Sequence, residues 1–296
     1  MGAQKNELAH LKGDNTLEDV NVSTKNEVII TKKKVFSLVD IVNNDAFYNL
    51  ITLVVALSVW EILARWINSI FIPAPSSVYI STIQLIKHGD VEGYTLASHI
   101  SKSIYRILAG FALGVVLGVP LGLFMGLYPK IYRRSRIVLE PIRFIPPIAW
   151  IPMAIVLLVG FQRYVFLIFL GGFFPIWINT LVGVGRVNPV HMNVAKVFGA
   201  TKLTRIKRIV IPSVMPDILS GMRVGLGMCW MCIVAAEMIG GEGIGIGRLI
   251  LKYAELLQLS PVVSGMLIIG LVGFFMNEII LLVEKKLFKW RWEVSL

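Results

Sequence analysis

Cys229 and Cys232 are separated by two residues, the spacing of redox dithiols and of half a zinc site. They lie inside an apolar run, with no second cysteine pair and no histidine nearby, so they read as inert packing thiols. His10, His88, His99 and His191 are scattered and make no metal-ligand spacing. The run Gly240-Gly241-Glu242-Gly243-Ile244-Gly245-Ile246-Gly247 has the glycine density of a phosphate-binding loop. It lacks the preceding strand and the Lys-Ser/Thr pair that complete such a loop. No nucleophile, base and oxyanion donor stand together. The sequence therefore points to a chain that is not an enzyme and binds no metal, nucleotide or other cofactor itself.

The elements that carry these residues explain why chemistry is sparse. Of 296 residues, 56% are hydrophobic and only 16% charged, where a soluble protein carries closer to a quarter charged. The net charge of +11 suits a nucleic-acid binder, but the apolar fraction is too high for one. A span needs about 20 mostly apolar residues. Six stretches qualify, near 46–66, 104–127, 142–160, 164–184, 217–239 and 262–283. The sequence thus predicts an all-α integral membrane protein with six transmembrane helices. Residues 1–40 are polar, read as a disordered cytoplasmic tail rather than a signal peptide, and 41–296 as the transmembrane domain.

Placing both termini in the cytoplasm puts most of the 29 Lys and Arg on that side. These include Lys32–Lys34, the loop with Lys130, Arg133, Arg134 and Arg136, the 186–208 loop, and Lys285–Arg291. That asymmetry is the positive-inside pattern, with Trp290 and Trp292 as interfacial anchors. On the outer side, Pro73-Ala74-Pro75-Ser76 predicts a turn and a helix start with Ser76 or Ser77 as N-cap, ending near Gly89.

Within the second span, Gly110, Gly114, Gly118, Gly122 and Gly126 recur every four residues. They make a stripe without side chains that admits a second backbone, from the same subunit or across a dimer. Pro146-Pro147-Ile148-Ala149-Trp150-Ile151-Pro152 cannot be regular helix. It is expected to be buried in protein, either as a kink or beside a pore. Asn179, Glu237, Asn277 and Glu278 are polar groups at membrane depth, where ionisable side chains normally face the bundle interior or a wet cavity. Pro147, Trp150, Asn179 and Glu237 are the candidate pathway residues.

Between the fourth and fifth spans, residues 185–216 form a basic, turn-bounded segment. Asn188-Pro189 is a helix start, Gly199 suits a left-handed C-cap, and a second helix begins at Thr201 or Lys202 and runs to about Ile211, with Pro212 and Pro216 forcing entry into the next span. Two short helices with a tight turn make a knob. Its basic face, Lys196, Lys202, Arg205, Lys207 and Arg208, fits lipid headgroups or an acidic protein groove equally well.

Asn193-Val194-Ala195, three residues, Gly199, nine residues, Ile209-Val210-Ile211-Pro212 resembles the EAA loop of ABC importer permeases. That pattern is Glu-Ala-Ala, three residues, Gly, nine residues, Ile, one residue, Leu-Pro. The chain departs from it at Asn193, Val194 and Ile211, while Gly199-Ala200-Thr201 resembles the usual Gly-Ala-Ser. Ile72–Ser76, Ser103–Gly126, Pro146–Pro152 and Ala236–Gly247 are similar to the nitrate/sulfonate/taurine/bicarbonate branch. The resemblance implies a type I permease fold in a prokaryotic plasma membrane. It implies two copies of the chain, ABC ATPase subunits that use ATP and Mg, and an external binding protein that delivers a small solute, an anion such as nitrate, sulfonate, taurine or bicarbonate. Asn193, Val194, Ala195, Lys196, Gly199, Ala200, Thr201, Lys202 and Leu203, with Ile209 and Pro212, would form the ATPase-docking loop. The alternative from another class is an ion-coupled secondary transporter, which would show internal repeats; none is visible.

Overall fold

The computed structural model describes residues 45–287, which are helices joined by turns, without strand among them. The expectations for the tail at 1–40, Lys32–Lys34, and Trp290 and Trp292 fall outside the described residues. The chain divides after Leu63. The described part of the first unit belongs to helix α1 (Asp45–Ile67), which is largely apolar; in it Thr52 returns its hydroxyl to the Tyr48 carbonyl at 2.8 Å.

In the second unit, α2 (Pro75–Lys87) starts on Pro75 with Ala74 at the N-cap, not on Ser76 or Ser77. Pro75 brings a fixed φ and no N–H, both suited to the first helical position, so the helix begins two residues earlier than a Ser76 cap would allow. Helix α3 (Leu96–Leu127) is longer than its apolar core. Thr95 caps it by accepting the Ser98 N–H, and its first two turns project beyond the predicted span start at 104.

The third predicted span is not one helix. Helix α4 (Pro129–Phe144) ends at the Pro146-Pro147 pair, and a 3-10 turn (Pro147–Trp150) leads into α5 (Ile151–Leu157) at a bend of 85°. Proline pushes the residue before it out of the helical region, and Ile145 and Pro146 are extended at ψ 114° and 136°. Among the described residues, five helices are long and apolar enough to cross a membrane, or six if this bent pair is one crossing. The expected burial of the proline run does not hold in the single chain: Pro146, Ile148 and Ala149 are exposed.

Helix α6 (Phe161–Gly185) is the centre of the second unit, with α3 on one side and α9 (Ile211–Ile239) on the other. The glycine stripe of α3 lies against α6. A Cβ at Gly122 would meet the Trp177 carbonyl at 2.7 Å, and one at Gly126 would meet the Val184 Cβ at 2.5 Å. The stripe therefore packs within one subunit. Gly171 and Gly172 of α6 make room for Cys232 and Cys229, whose thiols are fully buried in a core with Ile107, Tyr164, Leu167, Ile168 and Ile233.

Beyond the predicted helix 189–198, seen as α7 (Pro189–Val197), a four-residue α8 (Lys202–Arg205) does not stop near Ile211. It passes through a π turn (Ile206–Val210) into α9, so Lys202–Ile239 is one continuous rod. The Ile211 N–H reaches back five residues to the Ile206 carbonyl. A widened turn takes up the proline instead of breaking the helix. Helices α10 (Ile246–Glu255) and α11 (Leu259–Leu287) complete the fold. Leu85, Leu96, Leu249 and Tyr253 form a small core at their end of the molecule.

Candidate functional site

The knob follows from local chemistry. The Asn188 side chain accepts the Val190 N–H at 2.9 Å, with Pro189 at the first helical position. At the other end of α7, the Ala200 N–H bonds the Ala195 carbonyl at 2.9 Å and the Gly199 N–H bonds the Lys196 carbonyl at 3.0 Å. Those two bonds define a Schellman cap, and Gly199 sits at φ 72° as the cap demands. Gly199 is glycine for this reason. Thr201 then caps α8 through the Thr204 N–H. Asn193 to Leu203 thus span the end of α7, its cap and the start of α8, while Ile209 lies in the π turn and Pro212 in the first turn of α9.

Asn193, Val194, Lys196, Gly199, Thr201, Lys202, Leu203 and Pro212 are exposed, while Ala195, Ala200 and Ile209 are half-buried. The tip is apolar as well as basic, with Val197 86% and Phe198 85% exposed. Its root rests on Val210, Val214 and Ile218, joined by Leu127, Val187 and Met192. One contact reaches the α3–α4 junction: Lys202 Nζ donates to the Tyr128 hydroxyl at 2.8 Å and lies 4.7 Å from its ring centroid. The knob is thus tied to two elements, the α9 rod and the start of α4.

Of the four candidate pathway residues, Pro147 and Trp150 line a cleft of about 330 Å3 with Phe174, Pro175 and Met228. Asn179 instead donates to the Pro175 carbonyl at 2.8 Å, beside the close approach of Gly221. Glu237 is buried in the chain. It is 1% exposed and sits in a charge network at the end opposite the knob. Both its oxygens accept from the Ser103 hydroxyl (2.8 and 2.9 Å), Arg106 reaches it at 2.7 Å, and the Gly247 N–H at 3.1 Å. Arg106 also donates to the Ile244 carbonyl (2.8 Å) and to Glu242, with its guanidinium 4.0 Å over the Tyr164 ring.

A second layer stands beside it. His99 Nδ1 lies 2.9 Å from the Gly245 carbonyl and 3.0 Å from the Gly245 N–H, and its Nε2 is 3.4 Å from Asp90. Asp90 also receives the Glu92 and Tyr94 N–H groups (2.9 and 2.8 Å) and Lys252 at 3.2 Å. Burial alone would raise the Asp90 pKa. The Tyr94 amide, Lys252 and the Glu92 amide outweigh it and hold the carboxyl below its ordinary 3.8. A depressed carboxyl stabilises the fold above its ordinary value and loses that contribution as the pH falls through the folded value. The melting temperature of the purified chain is expected to drop on acidification below about pH 4, and Asp90→Asn to flatten that part of the profile. An unchanged profile in the variant would count against this role.

Sequence reading missed Arg106, Asp90, His99, Glu242 and Lys252. Arg106 left a signal, a cation within the predicted apolar span of a long helix. Asp90 and Glu242 come from loops, and His99 and Lys252 from two different helices, so their pairing left none.

Long apolar helices, a broken crossing and an exposed basic knob define a membrane permease, a multi-pass protein of the prokaryotic plasma membrane. Residues 118–289 match the model of the binding-protein-dependent transport system inner membrane component, and the chain belongs to that family, the permeases of ABC importers. It is 36% identical over 237 residues to a putative ABC transporter permease protein of Methanocaldococcus jannaschii, covering 80% of this chain and 89% of that one. It is 31% identical over 245 residues to the putative aliphatic sulfonates transport permease protein SsuC of Bacillus subtilis, covering 80% and 85%. Other relatives are named for taurine and nitrate import, which places the chain in the nitrate/sulfonate/taurine branch. The fold is similar to that of a chain of the inward-facing MetNI methionine ABC transporter, with a TM-score of 0.52 at 16% identity over 64% of this chain and 95% of that one.

Proposed function

We propose that this chain is the membrane-spanning subunit of an ATP-driven importer of a small anion. Two copies form the pathway, the knob docks on ATPase subunits in the cytoplasm, and a solute-binding protein delivers cargo at the opposite end. Both termini lie inside, following the Lys and Arg distribution. The chain carries no cofactor; ATP and Mg act in the partner ATPase. The observation that carries this reading is the Schellman-capped knob, Asn193 to Leu203, at the head of an unbroken helical rod from Lys202 to Ile239.

A rod transmits displacement. Closure of the ATPase pair would draw both knobs together, and each rod would carry that movement into its bundle and open the pathway outward. Hydrolysis and release would reset it. Anionic cargo is supported by the relatives named for sulfonates, taurine and nitrate.

The test is uptake by the reconstituted complex. The account expects accumulation that needs internal ATP and the binding protein and survives collapse of the ion gradients. Uptake without ATP that disappears with an ion gradient would instead establish a secondary carrier.

A further inference from the structure

Several arginines within or beside the spans have partners. Arg106 meets Glu237 and Glu242, Arg223 lies 3.5 Å from Glu284, and Arg163 donates to the Leu158 and Gly240 carbonyls. Arg143 differs. It closes the last turn of α4, lines the apolar cleft with Pro147, Trp150 and Phe174, and touches only the face of Phe144, 4.8 Å from the ring centroid. Among the described residues no carboxylate forms an ion pair with it. Phe144 also walls a neighbouring hollow of about 600 Å3 that holds Arg133 and Arg136. Of these, Arg136 lies 3.6 Å from Glu140.

A guanidinium is a planar fork that matches the paired oxygens of nitrate, carboxylate or sulfonate. In an apolar cleft its field is screened less than in water. We propose that Arg143 selects for charge in the pathway: it takes the oxyanion head of the solute in this cleft, with Trp150 and Phe174 against the remainder, before release past Phe144 toward Arg133 and Arg136. The broken helix explains the placement, because the 85° bend after Phe144 is what brings the end of α4 to the cleft. This inference rests on the anion-importer reading above.

The test uses the whole transporter, with its ATPase and binding protein, in proteoliposomes supplied with nitrate, ethanesulfonate or taurine. Arg143→Gln is expected to lower uptake of the anion carried by the wild type about tenfold or more, with assembly and ATP hydrolysis retained. Arg143→Lys keeps the charge but loses the fork, and should give uptake between that of Arg143→Gln and wild type. Equal uptake by Arg143→Gln and wild type would overturn the inference and leave the anion reading intact. Loss of assembly in both variants would also overturn it, making Arg143 an interface residue. A wild-type complex that imports none of the three but accumulates a neutral solute would remove the anion reading, and the inference with it.

Discussion

Arg106→Met is expected to destabilise the folded chain by about 3–5 kcal/mol, the usual consequence of removing one partner from a buried ion pair. Arg106 is 0% and Glu237 1% exposed, so the substitution strands a carboxylate that water cannot reach. Glu237 would keep Ser103 and the Gly247 amide, which favours the lower end of that range. Further losses follow on the loop side, because Arg106 also holds the Ile244 carbonyl and Glu242 and covers the Tyr164 ring. Adding Glu237→Gln removes the stranded charge and should recover part of the loss. Thermal unfolding in mild detergent reads both effects. A single variant that melts like the wild type, or a double variant no better than the single one, would show that the pair does not act as described.

Phe198→Asp should cost the fold little, since the side chain is 85% exposed and such surface changes stay within about 0.5 kcal/mol. Its effect belongs to docking. An exposed aromatic at the tip of a capped, rigid element has the makings of an interface anchor, and truncating such an anchor costs about 2 kcal/mol or more, roughly a thirtyfold loss of affinity. Gly199→Val attacks the same knob from the backbone. At φ 72° a β-branched residue opposes the left-handed turn, at a cost on the order of 1–2 kcal/mol, although no neighbouring atom blocks the side chain. Both variants should fold and insert but bind the purified ATPase subunit weakly, and uptake should fall in proportion. Wild-type ATPase affinity in both would remove the knob from the contact.

What the sequence made legible was local. Asn188-Pro189 and Gly199 specify a helix start and stop through bonds within a few residues, and the structure has both. The glycine stripe was equally readable as a close-packing face, though only the structure assigns it to α6. Long-range pairings were not readable. Arg106, Glu237, Glu242 and Gly245 are brought together by folding, and neither periodicity nor spacing links position 106 to 237. Proline misled in both directions. Pro146-Pro147 turns the chain by 85° where a single span was expected, whereas Pro212 is absorbed by a π turn where a break was expected.

The central claim, that the knob joins this chain to an ATPase, is tested most directly by purifying the full-length chain from its native membrane in mild detergent and identifying what comes with it. The account predicts a Walker-motif ATPase in equal amount and ATP hydrolysis in the eluate. A solitary chain without ATPase activity, from a preparation in which a known importer stays assembled, would contradict it.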